Sequence, residues 1–447
     1  MKVKFISTAS VIISTEDCCI WTDPWIFGKA FNNSWALFPE IPFDENDYAR
    51  ITHVWVSHEH PDHFHIPTLK SLSKEFKNRV TLLFQQNHSD KMPNAFKMLG
   101  FNNIKLIENR KITSISDKTN VQVVQVGSMD SSLAVIDSDH TILNINDCEI
   151  SKKDCKNFLR DLGTIDLALN QFSVAGYNGY YDYDTFGPIS ASIIMDNLVW
   201  NHKIIKARYT MPFASNIRFC CEDNKHINTF ANTPFDVKKR FDAEGLKCLI
   251  LYPGEEFDLA QNDRDPSESL GKYEKLYATI SDLKCDPAES VELEHIRQAF
   301  IDFCADIRDR YPRFLYKKLS KICIKVPDLQ GEIIMSVKDN IFEFYNDGIE
   351  RKEDLIISSQ PLHFAFNNTW GIQTLGISGR FLVLNSVSPW KWYRIISSMN
   401  NSEVYLSSKY FFSAKTIKFI RQTFRQGMSQ FIHQWRVRVT GTKLDKS

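Results

Sequence analysis

The residues best suited to chemistry are crowded into one loop, since five of the twelve histidines fall between His53 and His65. The loop follows a short apolar run, residues 52–56, which is typical of a strand. His58 and His60 stand two residues apart, so an extended backbone directs both side chains to one side. Imidazole nitrogens and carboxylate oxygens are the usual protein ligands of zinc and of non-haem iron or manganese. The spacing predicts a metal-binding loop; the alternative is a polar surface loop whose histidines are incidental.

The second half of the loop can serve a second metal ion. Pro61 bends the chain, so the side chains of Asp62 and His63 can face a second point close to the first. Two adjacent ions would share a bridging water or hydroxide and lower its pKa. We predict that His58 and His60 hold one ion, while Asp62 and His63 hold the other. Alternatively, Asp62 is a catalytic residue that orients the hydroxide as a general base.

Further candidate ligands lie at the end of a predicted hairpin. Residues 132–136 and 141–145 read as two strands joined by a tight turn. This hairpin brings Asp130 and Asp147 to one end and places His140 at the other. Asp147 directly follows an apolar strand, as the histidine loop does, and strand ends at one sheet edge can gather ligands. A simple turn aspartate is the alternative for Asp147.

Taken together, residues 54–65 resemble the signature loop of the metallo-β-lactamase fold superfamily. Over about residues 1–260 the chain also resembles the metallo-β-lactamase-like portion of CMP-N-acetylneuraminate hydroxylase and related stand-alone proteins from surface-polysaccharide loci. Four groups of phrases carry this narrower resemblance: Asp23-Pro-Trp with Ala30-Phe-Asn-Asn-Ser-Trp35, Ser131-Ser-Leu with Leu143-Asn-Ile-Asn-Asp-Cys148, Gln171-Phe-Ser-Val-Ala-Gly-Tyr177, and Pro212-Phe-Ala-Ser with Asn224. That family carries a Rieske iron–sulfur domain ahead of this portion, and no Cys-x-His pair occurs in this chain.

The resemblance implies roles for residues outside the loop. Asp147 matches the bridging aspartate of the superfamily. No histidine stands at the third-histidine position, where Asp130 is the nearest possible substitute. The last metal-binding histidine of the superfamily falls near Cys221, which we take as the ligand there; a thiolate would favour a softer metal. Asp23 either supports the metal loop from behind or caps a turn. Other side chains near Cys221 that could bind metal are Glu222, Asp223 and His226.

Aromatic and amide side chains predict where a polar ring could bind. The stretch 175–184 is rich in tyrosine and glycine, and Tyr177 and Tyr180 supply flat faces and hydroxyls for a sugar or a base. Asn224 is added because it belongs to the phrases that carry the resemblance. A packed surface loop is the alternative for the tyrosine-rich stretch.

Strand and helix patterns around these residues predict the fold class. Residues 1–265 should form an α/β domain with sheets covered by helices. The resemblance implies that this domain is the αββα sandwich of the metallo-β-lactamase fold and that it binds the metal. Helices are predicted at residues 67–76 and 89–99, and a strand at 204–209. A polar stretch at 255–268 reads as a linker or a surface loop. Residues 266–447 should form a smaller α+β domain with a weak resemblance to sterol-carrier-protein-like domains.

Within that second domain, residues 293–307 carry apolar side chains at helical spacing. Strands are predicted at 322–326, 332–337 and 340–345, and a strand-to-helix transition follows at about residue 358. Residues 370–381 read as a loop leading into a strand. Two further helices are predicted at 389–399 and 416–435.

The composition argues against a nucleic-acid or membrane partner. The 447 residues carry 54 basic and 54 acidic side chains, and no basic tract stands out. No window approaches the roughly 20 apolar residues of a membrane span, and the first residues read as a strand, not as a signal peptide. Several of the ten cysteines stand in adjacent pairs, which rarely suit a disulfide framework, so we expect reduced, mostly buried thiols. From the lack of a signal peptide and of a membrane span we expect a cytoplasmic protein.

Three functions fit these features. We favour a hydrolase with one or two divalent metal ions, zinc or iron, in which a metal-bound hydroxide attacks a small-molecule substrate. The resemblance suggests that this substrate is a nucleotide sugar or a surface-polysaccharide precursor. The first alternative is an iron-dependent oxygenase, favoured by a carboxylate-rich site and requiring a separate electron donor. The second is a non-catalytic ligand-binding protein built on a decayed enzyme scaffold.

Overall fold

The computed structural model describes residues 1–384 except 87, 88, 128, 177, 178, 180, 262, 288, 318, 320 and 350. The chain divides into two compact units. The first comprises Met1–Tyr177 and Asp182–Asp286, and the second begins at Pro287 and includes the short segment Asn178–Tyr181.

The strands of the first unit are β1 (Lys2–Ser7), β2 (Ser10–Ser14), β3 (Cys19–Thr22), β4 (Lys29–Ala30), β5 (Trp35–Leu37), β6 (His53–Trp55), β7 (Thr81–Gln85), β8 (Asn103–Ile107), β9 (Ile112–Ser114), β10 (Asn120–Val126), β11 (Asp130–Ile136), β12 (Thr141–Asn146), β13 (Leu167–Gln171), β14 (Tyr209–Phe213), β15 (Ile217–Phe219) and β16 (Glu256–Asp258). Its helices are α1 (Glu45–Arg50), α2 (Ile66–Ser71), α3 (Lys74–Arg79), α4 (Lys91–Met98), α5 (Lys152–Leu162), α6 (Tyr183–Ile205), α7 (Pro234–Ala243) and α8 (Ser267–Tyr277), with short 3₁₀ turns at Lys225–Thr229 and Ile280–Asp282.

Two sheets form the centre of this unit. In one, the order of the described strands is β16-β1-β2-β3-β6-β7-β8; in the other it is β14-β13-β12-β11-β10-β9. Strands β3, β6, β7 and β8 run parallel to one another, as do β12, β13 and β14. A small third sheet has the order β15-β5-β4. The carboxyl ends of neighbouring parallel strands meet at one edge, which is where α/β sheets usually carry their sites.

Alternation of side chains along the strands produces the layers. Trp55 and Leu83 point into a core shared by the two sheets, where they meet residues of the second sheet such as Leu133. Their neighbours Val54 and Leu82 point outward. The outward residues of the first sheet pack against α2, α3 and α4, and those of the second sheet pack against α5 and the end of α6. The predicted αββα arrangement is therefore confirmed.

Three local predictions in the first unit were wrong. The predicted helix 67–76 is two helices, because Ser73 caps a new one by accepting a hydrogen bond from the N–H of Phe76 at 3.0 Å. The predicted strand 204–209 is helical to Ile205, which is fully buried, and Lys206 ends that helix in a left-handed conformation. The predicted linker 255–268 contains β16, which pairs antiparallel with β1 at the sheet edge.

The first unit continues past the predicted domain boundary at residues 265 and 266. Helix α8 belongs to it because Tyr273 is buried and its hydroxyl donates to the carbonyl of Leu251 at 2.9 Å. Further on, the N–H of Asp286 donates to the carbonyl of Cys220 at 2.8 Å. The two units divide after Asp286.

The second unit is an α+β arrangement, as predicted. Its strands are β17 (Ile322–Val326), β18 (Gly331–Ser336), β19 (Ile341–Tyr345), β20 (Leu355–Ile356) and β21 (Leu382–Val383); its helices are α9 (Leu293–Arg310), α10 (Arg313–Tyr316), α11 (Ser359–Asn367) and α12 (Gly371–Ser378), with a 3₁₀ turn at Pro327–Leu329. The described strands form one sheet in the order β19-β18-β17-β20-β21. Helix α9 buries Ile296, Phe300 and Ile307 in the core of this unit, so the apolar spacing identified this helix correctly.

Helix α12 contradicts the predicted loop at residues 370–381. Its first residue, Gly371, lies so close to the backbone of α11 that an added Cβ would stand 2.5 Å from the carbonyl oxygen of Ala365. Glycine at this position therefore permits close helix packing. The predicted helices at 389–399 and 416–435 lie outside the described residues, and the resemblance to sterol-carrier-protein-like domains stays a prediction.

Two findings bear on the predictions from composition. The ten cysteines are free thiols, most of them buried, as expected. Among the helices in the described part of the chain, none has the length and apolar character needed to cross a bilayer.

One buried histidine of the fold makes stability depend on pH. Burial, together with the charge of Lys203, lowers the pKa of His202 from 6.5 to about 4. Its Nδ1 lies 2.8 Å from the hydroxyl of Thr210, and its ring packs on Phe241 in α7. The folded pKa is below the unfolded value, so the unfolded state takes up the proton first as the pH falls. Stability is therefore lost as the pH decreases from about 6.5 towards 4.

We expect His202→Gln to flatten this dependence. Between about pH 7.5 and about pH 5, the wild type should lose about 2 kcal/mol more unfolding free energy than the variant. Urea unfolding of the metal-free protein, followed at both pH values, measures the difference. The other histidines are common to both proteins and cancel, so equal losses would contradict the assignment.

Candidate metal centre

The histidine loop is held at both ends by buried residues. Strand β6 lies between β3 and β7, and Val56 beyond it is fully buried on the outer face of the sheet. At the other end Phe64 packs in the same core, and Nδ1 of His65 accepts from the N–H of Thr68 at 3.3 Å, which caps α2. A tight turn closes the loop, since the N–H groups of His63 and Phe64 both donate to the carbonyl of His60. His65 is thus a helix cap and not a member of the centre.

The loop side chains converge with two aspartates from the second sheet. Nε2 of His58 lies 2.7 Å from Nδ1 of His60 and 3.8 Å from Oδ1 of Asp130. Oδ2 of Asp147 lies 3.9 Å from Nε2 of His58 and 3.4 Å from Nε2 of His63. Within the described residues, two sets of donors have ligand atoms within 4.8 Å of one another: His58, His60 and Asp130; and His58, His63 and Asp147.

Asp62 borders the second of these sets. Its Oδ2 lies 3.2 Å from Nε2 of His63. Oδ2 of Asp147 lies near both His58 and His63, and its role as a bridging ligand stays a prediction. The assignment of individual ions to pairs of loop residues stays a prediction, because His58 belongs to both sets.

Asp23 supports the loop from the carboxyl end of β3. Its carboxylate accepts hydrogen bonds from the N–H of Ser57 at 2.7 Å, the hydroxyl of Ser57 at 2.8 Å and the amide of Asn146 at 2.8 Å. Oδ2 also lies 2.9 Å from Nδ1 of His63. This contact fixes the ring of His63 with Nε2 towards the centre, as carboxylates behind metal-binding histidines commonly do.

Sequence reasoning missed the residues that join the two sheets behind the loop. The carbonyl of Ser57 accepts from the hydroxyl of Ser131 at 2.6 Å and from the amide of Gln85 at 3.2 Å. Asn146 lies at positive φ, which aims its amide at Asp23 while the next residue, Asp147, turns into the centre. A polar residue immediately before a candidate ligand, at the same strand end, was the signal available for Asn146.

The electrostatics of the centre favour positive charge. Burial alone would lower the pKa of His63, yet the carboxylates of Asp62, Asp147 and Asp23 raise it well above its usual value. Burial alone would raise the pKa of Asp147, yet His63 and His58 lower it well below its usual value. Burial and the charge of Asp147 raise the pKa of Asp130 to about 8. Protons on His63 and Asp130 thus offset the negative charge of the carboxylates, and a bound cation could offset the same charge.

These residues fit a metal ion. Oδ1 of Asp62 and Oδ1 of Asp147 are buried without a hydrogen-bond partner, although buried carboxylate oxygens are normally paired. Burial lowers the pKa of His58 and of His60 to about 3, and neighbouring histidine charge contributes. Both rings are therefore neutral at physiological pH, as metal ligation requires.

The structure places other predicted residues elsewhere. Cys221 is in neither donor set; its thiol donates to the carbonyl of Asn33 at 3.6 Å. Asn224 is fully buried, where its Oδ1 accepts from the N–H of Cys221 and its Nδ2 donates to the carbonyl of Ser34. Its predicted contact with substrate gives way to a role in holding that loop. The side chains of Glu222, Asp223 and His226 are likewise in neither set.

The tyrosines predicted to bind substrate and the histidine at the hairpin turn remain to be compared with the structure. Tyr177 and Tyr180 fall outside the described residues, so their role in binding substrate stays a prediction. His140 lies in the turn between β11 and β12, at the far end of the hairpin from Asp130.

Comparison with known proteins agrees with this geometry. Residues 2–145 match the family described as the Beta-lactamase superfamily domain. The cytidine monophosphate-N-acetylneuraminic acid hydroxylase of Danio rerio is 30% identical over 154 residues, 33% of this chain and 26% of that protein. The hydroxylase of the same name from Asterias rubens is 29% identical over 156 residues, 33% of this chain and 23% of that protein.

A Mycobacterium tuberculosis protein, described by name as a Rieske 2Fe-2S iron-sulfur protein, is 25% identical over 253 residues, 53% of this chain and 48% of that protein. The chain thus spans between about a quarter and a half of the length of these three relatives.

Solved structures similar to this chain include hydrolases and hydroxylases. The isothiocyanate hydrolase from Delia radicum gut bacteria is 16% identical, covering 58% of this chain and 98% of its own, with a TM-score of 0.43. CmlA, a diiron beta-hydroxylase from Streptomyces venezuelae, is 13% identical, covering 57% of this chain and 53% of its own, with a TM-score of 0.40. Residues 2–145 of this chain thus match the Beta-lactamase superfamily domain, and about a third of the chain is similar in sequence to cytidine monophosphate-N-acetylneuraminic acid hydroxylases.

Proposed function

We propose that this chain is the oxygenase component of an iron-dependent hydroxylase. The observation that carries the proposal is the position of Asp130, whose Oδ1 joins His58 and His60 within ligand distance. A carboxylate stands where the superfamily usually has a third histidine. The centre thus offers three imidazoles and three carboxylates, from His58, His60, His63, Asp62, Asp130 and Asp147.

This donor set suits iron better than zinc. Zinc in proteins is held mainly by nitrogen and sulfur ligands, whereas mixed histidine and carboxylate sets are typical of non-haem iron. Within the described residues neither donor set contains a cysteine, which removes the strongest argument for a softer metal. His58, His60 and Asp130 would hold one ion, while His63, Asp62 and Asp147 would hold a second.

When bound, iron would supply dioxygen activation for hydroxylation of a C–H bond. One oxygen atom enters that bond and the other leaves as water, so each turnover consumes two electrons and two protons. We infer that a Rieske-type iron–sulfur cluster delivers the electrons, because the relatives include a protein named for such a cluster. Ser57 and Asp23 keep the ligand rings in place through hydrogen bonds to the loop backbone and to His63.

The substrate we propose is a nucleotide-linked acidic sugar. The support is the name of the relatives, which act on cytidine monophosphate-N-acetylneuraminic acid. A surface-polysaccharide precursor built on such a sugar falls in the same chemical class.

A metal-dependent hydrolase is the second candidate. Asp62 favours it, because its Oδ1 is buried and unpaired beside His63. An oxygen in that position could orient a hydroxide as a general base.

Metal content separates the two candidates. Protein purified without air and with no metal added should contain mainly iron, as measured by plasma mass spectrometry; a direct competition is avoided because zinc outcompetes ferrous iron at most nitrogen and oxygen sites. Asp130→His should move the preference towards zinc, because it replaces a carboxylate by imidazole. Asp130→Asn is the matched control, since it keeps the size but supplies no charged oxygen, and it should bind less of both metals. Zinc retained in preference by the wild type would contradict the oxygenase.

Hydroxylation itself is testable with a known donor. With ferrous protein, a Rieske-type reductase chain and cytidine monophosphate-N-acetylneuraminic acid as the probe, labelled dioxygen should place one labelled oxygen atom in the product. His58→Ala should abolish the label incorporation. A product formed equally well under nitrogen would instead identify a hydrolase.

Asp23→Asn tests the support behind the loop. The amide keeps the shape but cannot accept all four contacts, so we expect metal affinity to fall about 10–100-fold, as for other residues behind metal ligands. Binding of ferrous or manganous ions, measured by competition with a chelator dye, gives the change. Asp282→Asn, on the exposed 3₁₀ turn, should leave the affinity unchanged. Unaltered binding by Asp23→Asn would show that the carboxylate does not orient His63.

A further inference from the structure

A continuous row of aromatic contacts leads from the small third sheet to the metal loop. Phe219, the last residue of β15, packs edge-on against Trp35 with ring centroids 5.6 Å apart. Trp35 packs against Phe31 at 4.6 Å, and Phe31 contacts the ring of His60 at 6.0 Å and 61°. All three aromatic residues before His60 are nearly fully buried, and these distances suit edge-to-face pairs.

Phe31 belongs to a turn with an unusual backbone. Phe31, Asn32 and Asn33 have φ values of 50°, 57° and 57°, so three successive residues other than glycine are left-handed. Such residues usually occur singly, because the left-handed conformation crowds Cβ against the backbone. Surrounding contacts must therefore hold the turn, and strain of this kind concentrates at functional sites.

The segment that follows β15 supplies those contacts. The thiols of Cys220 and Cys221 donate to the carbonyl of Asn33 at 3.3 and 3.6 Å. The carbonyl of Ser34 accepts from the N–H of Cys220 at 3.0 Å and from Nδ2 of Asn224 at 3.1 Å. We name Cys220, Cys221 and Asn224 the clamp. Thus the residues first considered as ligand and substrate contact hold the turn that carries Phe31.

His60 is the histidine whose ring Phe31 contacts. His58 has Nδ1 at 2.9 Å from the hydroxyl of Ser57, and His63 has Nδ1 at 2.9 Å from Asp23. The Nδ1 of His60 instead faces Nε2 of His58, where a ligand atom is needed. Its ring is also half-buried and is met by Phe31.

We propose that Phe31 is a positioning residue that sets the ring orientation of His60 and thereby the affinity for one of the two metal ions. The clamp holds Phe31 in place. The inference rests on the proposed metal centre, but not on the reaction. His60 belongs to the donor set with Asp130 and not to the set with Asp147. A change at Phe31 should therefore weaken the binding of one of the two ions selectively.

The experiment compares Phe31→Ala and the milder Phe31→Leu with the wild type by titration of metal-free protein with manganous ions. We expect about tenfold weaker binding of one ion, the size seen when support behind a metal ligand is lost, and less than twofold change for the other. Imidazole nitrogen NMR of the metal-free variants should show a shifted His60 signal with the His63 signal unchanged. Asn224→Ala removes one contact of the clamp, so it should weaken the binding of the same ion.

Phe27→Ala is the matched control, because Phe27 lies in the same segment, is exposed and contacts His65 and not the centre. It should bind both ions as the wild type does. Unchanged binding and an unchanged His60 signal in Phe31→Leu would overturn the proposal, as would an equal loss of both ions with a lowered melting temperature. A wild type that binds fewer than two ions would contradict the dinuclear centre instead, and the His60 signal would still decide the role of Phe31.

Discussion

The buried carboxylate of Asp23 is the interaction on which the site depends. It lies at the end of β3 and is fully buried. It accepts hydrogen bonds from the backbone N–H of Ser57 and the amide of Asn146, and it contacts the ring of His63. These partners come from both sheets. A buried charge is tolerated only when it is well bonded, and here every bond also fixes a part of the metal loop. The same contacts thus satisfy the carboxylate and bring the two sheets together.

Charge explains why the centre can remain assembled before metal arrives. Asp62, Asp130 and Asp147 would repel one another if all were ionised and unpaired. The raised pKa of His63 and of Asp130 shows how protons relieve that repulsion. An incoming cation would replace these protons, so metal uptake should release protons to solvent. The preassembled ligands also reduce the conformational entropy lost on binding.

The sequence predicts those parts of the site that are set by local spacing. The His-x-His-x-Asp-His loop and the hairpin that pairs Asp130 with Asp147 follow from periods of two along strands and from one tight turn. Cys221 and Asn224 could not be placed in this way, because their position depends on how β15 crosses to β5. Asn146 was overlooked because its role comes from a backbone conformation at positive φ.

The fold shows the same contrast between local and long-range information. Alternating apolar residues predicted most strands of both units, whereas the sandwich was implied by the resemblance to the metallo-β-lactamase fold. The stretch 255–268 was predicted as a linker or a surface loop because it is polar. It nevertheless contains β16, since a strand at a sheet edge needs few buried side chains, and in β16 only Phe257 is buried. At residues 370–381 a loop was predicted, whereas Gly371 lies in close packing between two helices.

Strand β16 has a consequence for how the protein is made. It pairs Asp258 with Lys2 and Glu256 with Lys4, so the first strand obtains its outer neighbour only after some 250 further residues have been synthesised. Until then β1 presents an open row of backbone donors and acceptors, which is a template for unwanted pairing. Contacts of such long sequence separation form late and slow the search for the native state. On the ribosome, the first unit would therefore be most vulnerable to aggregation just before residue 258 emerges.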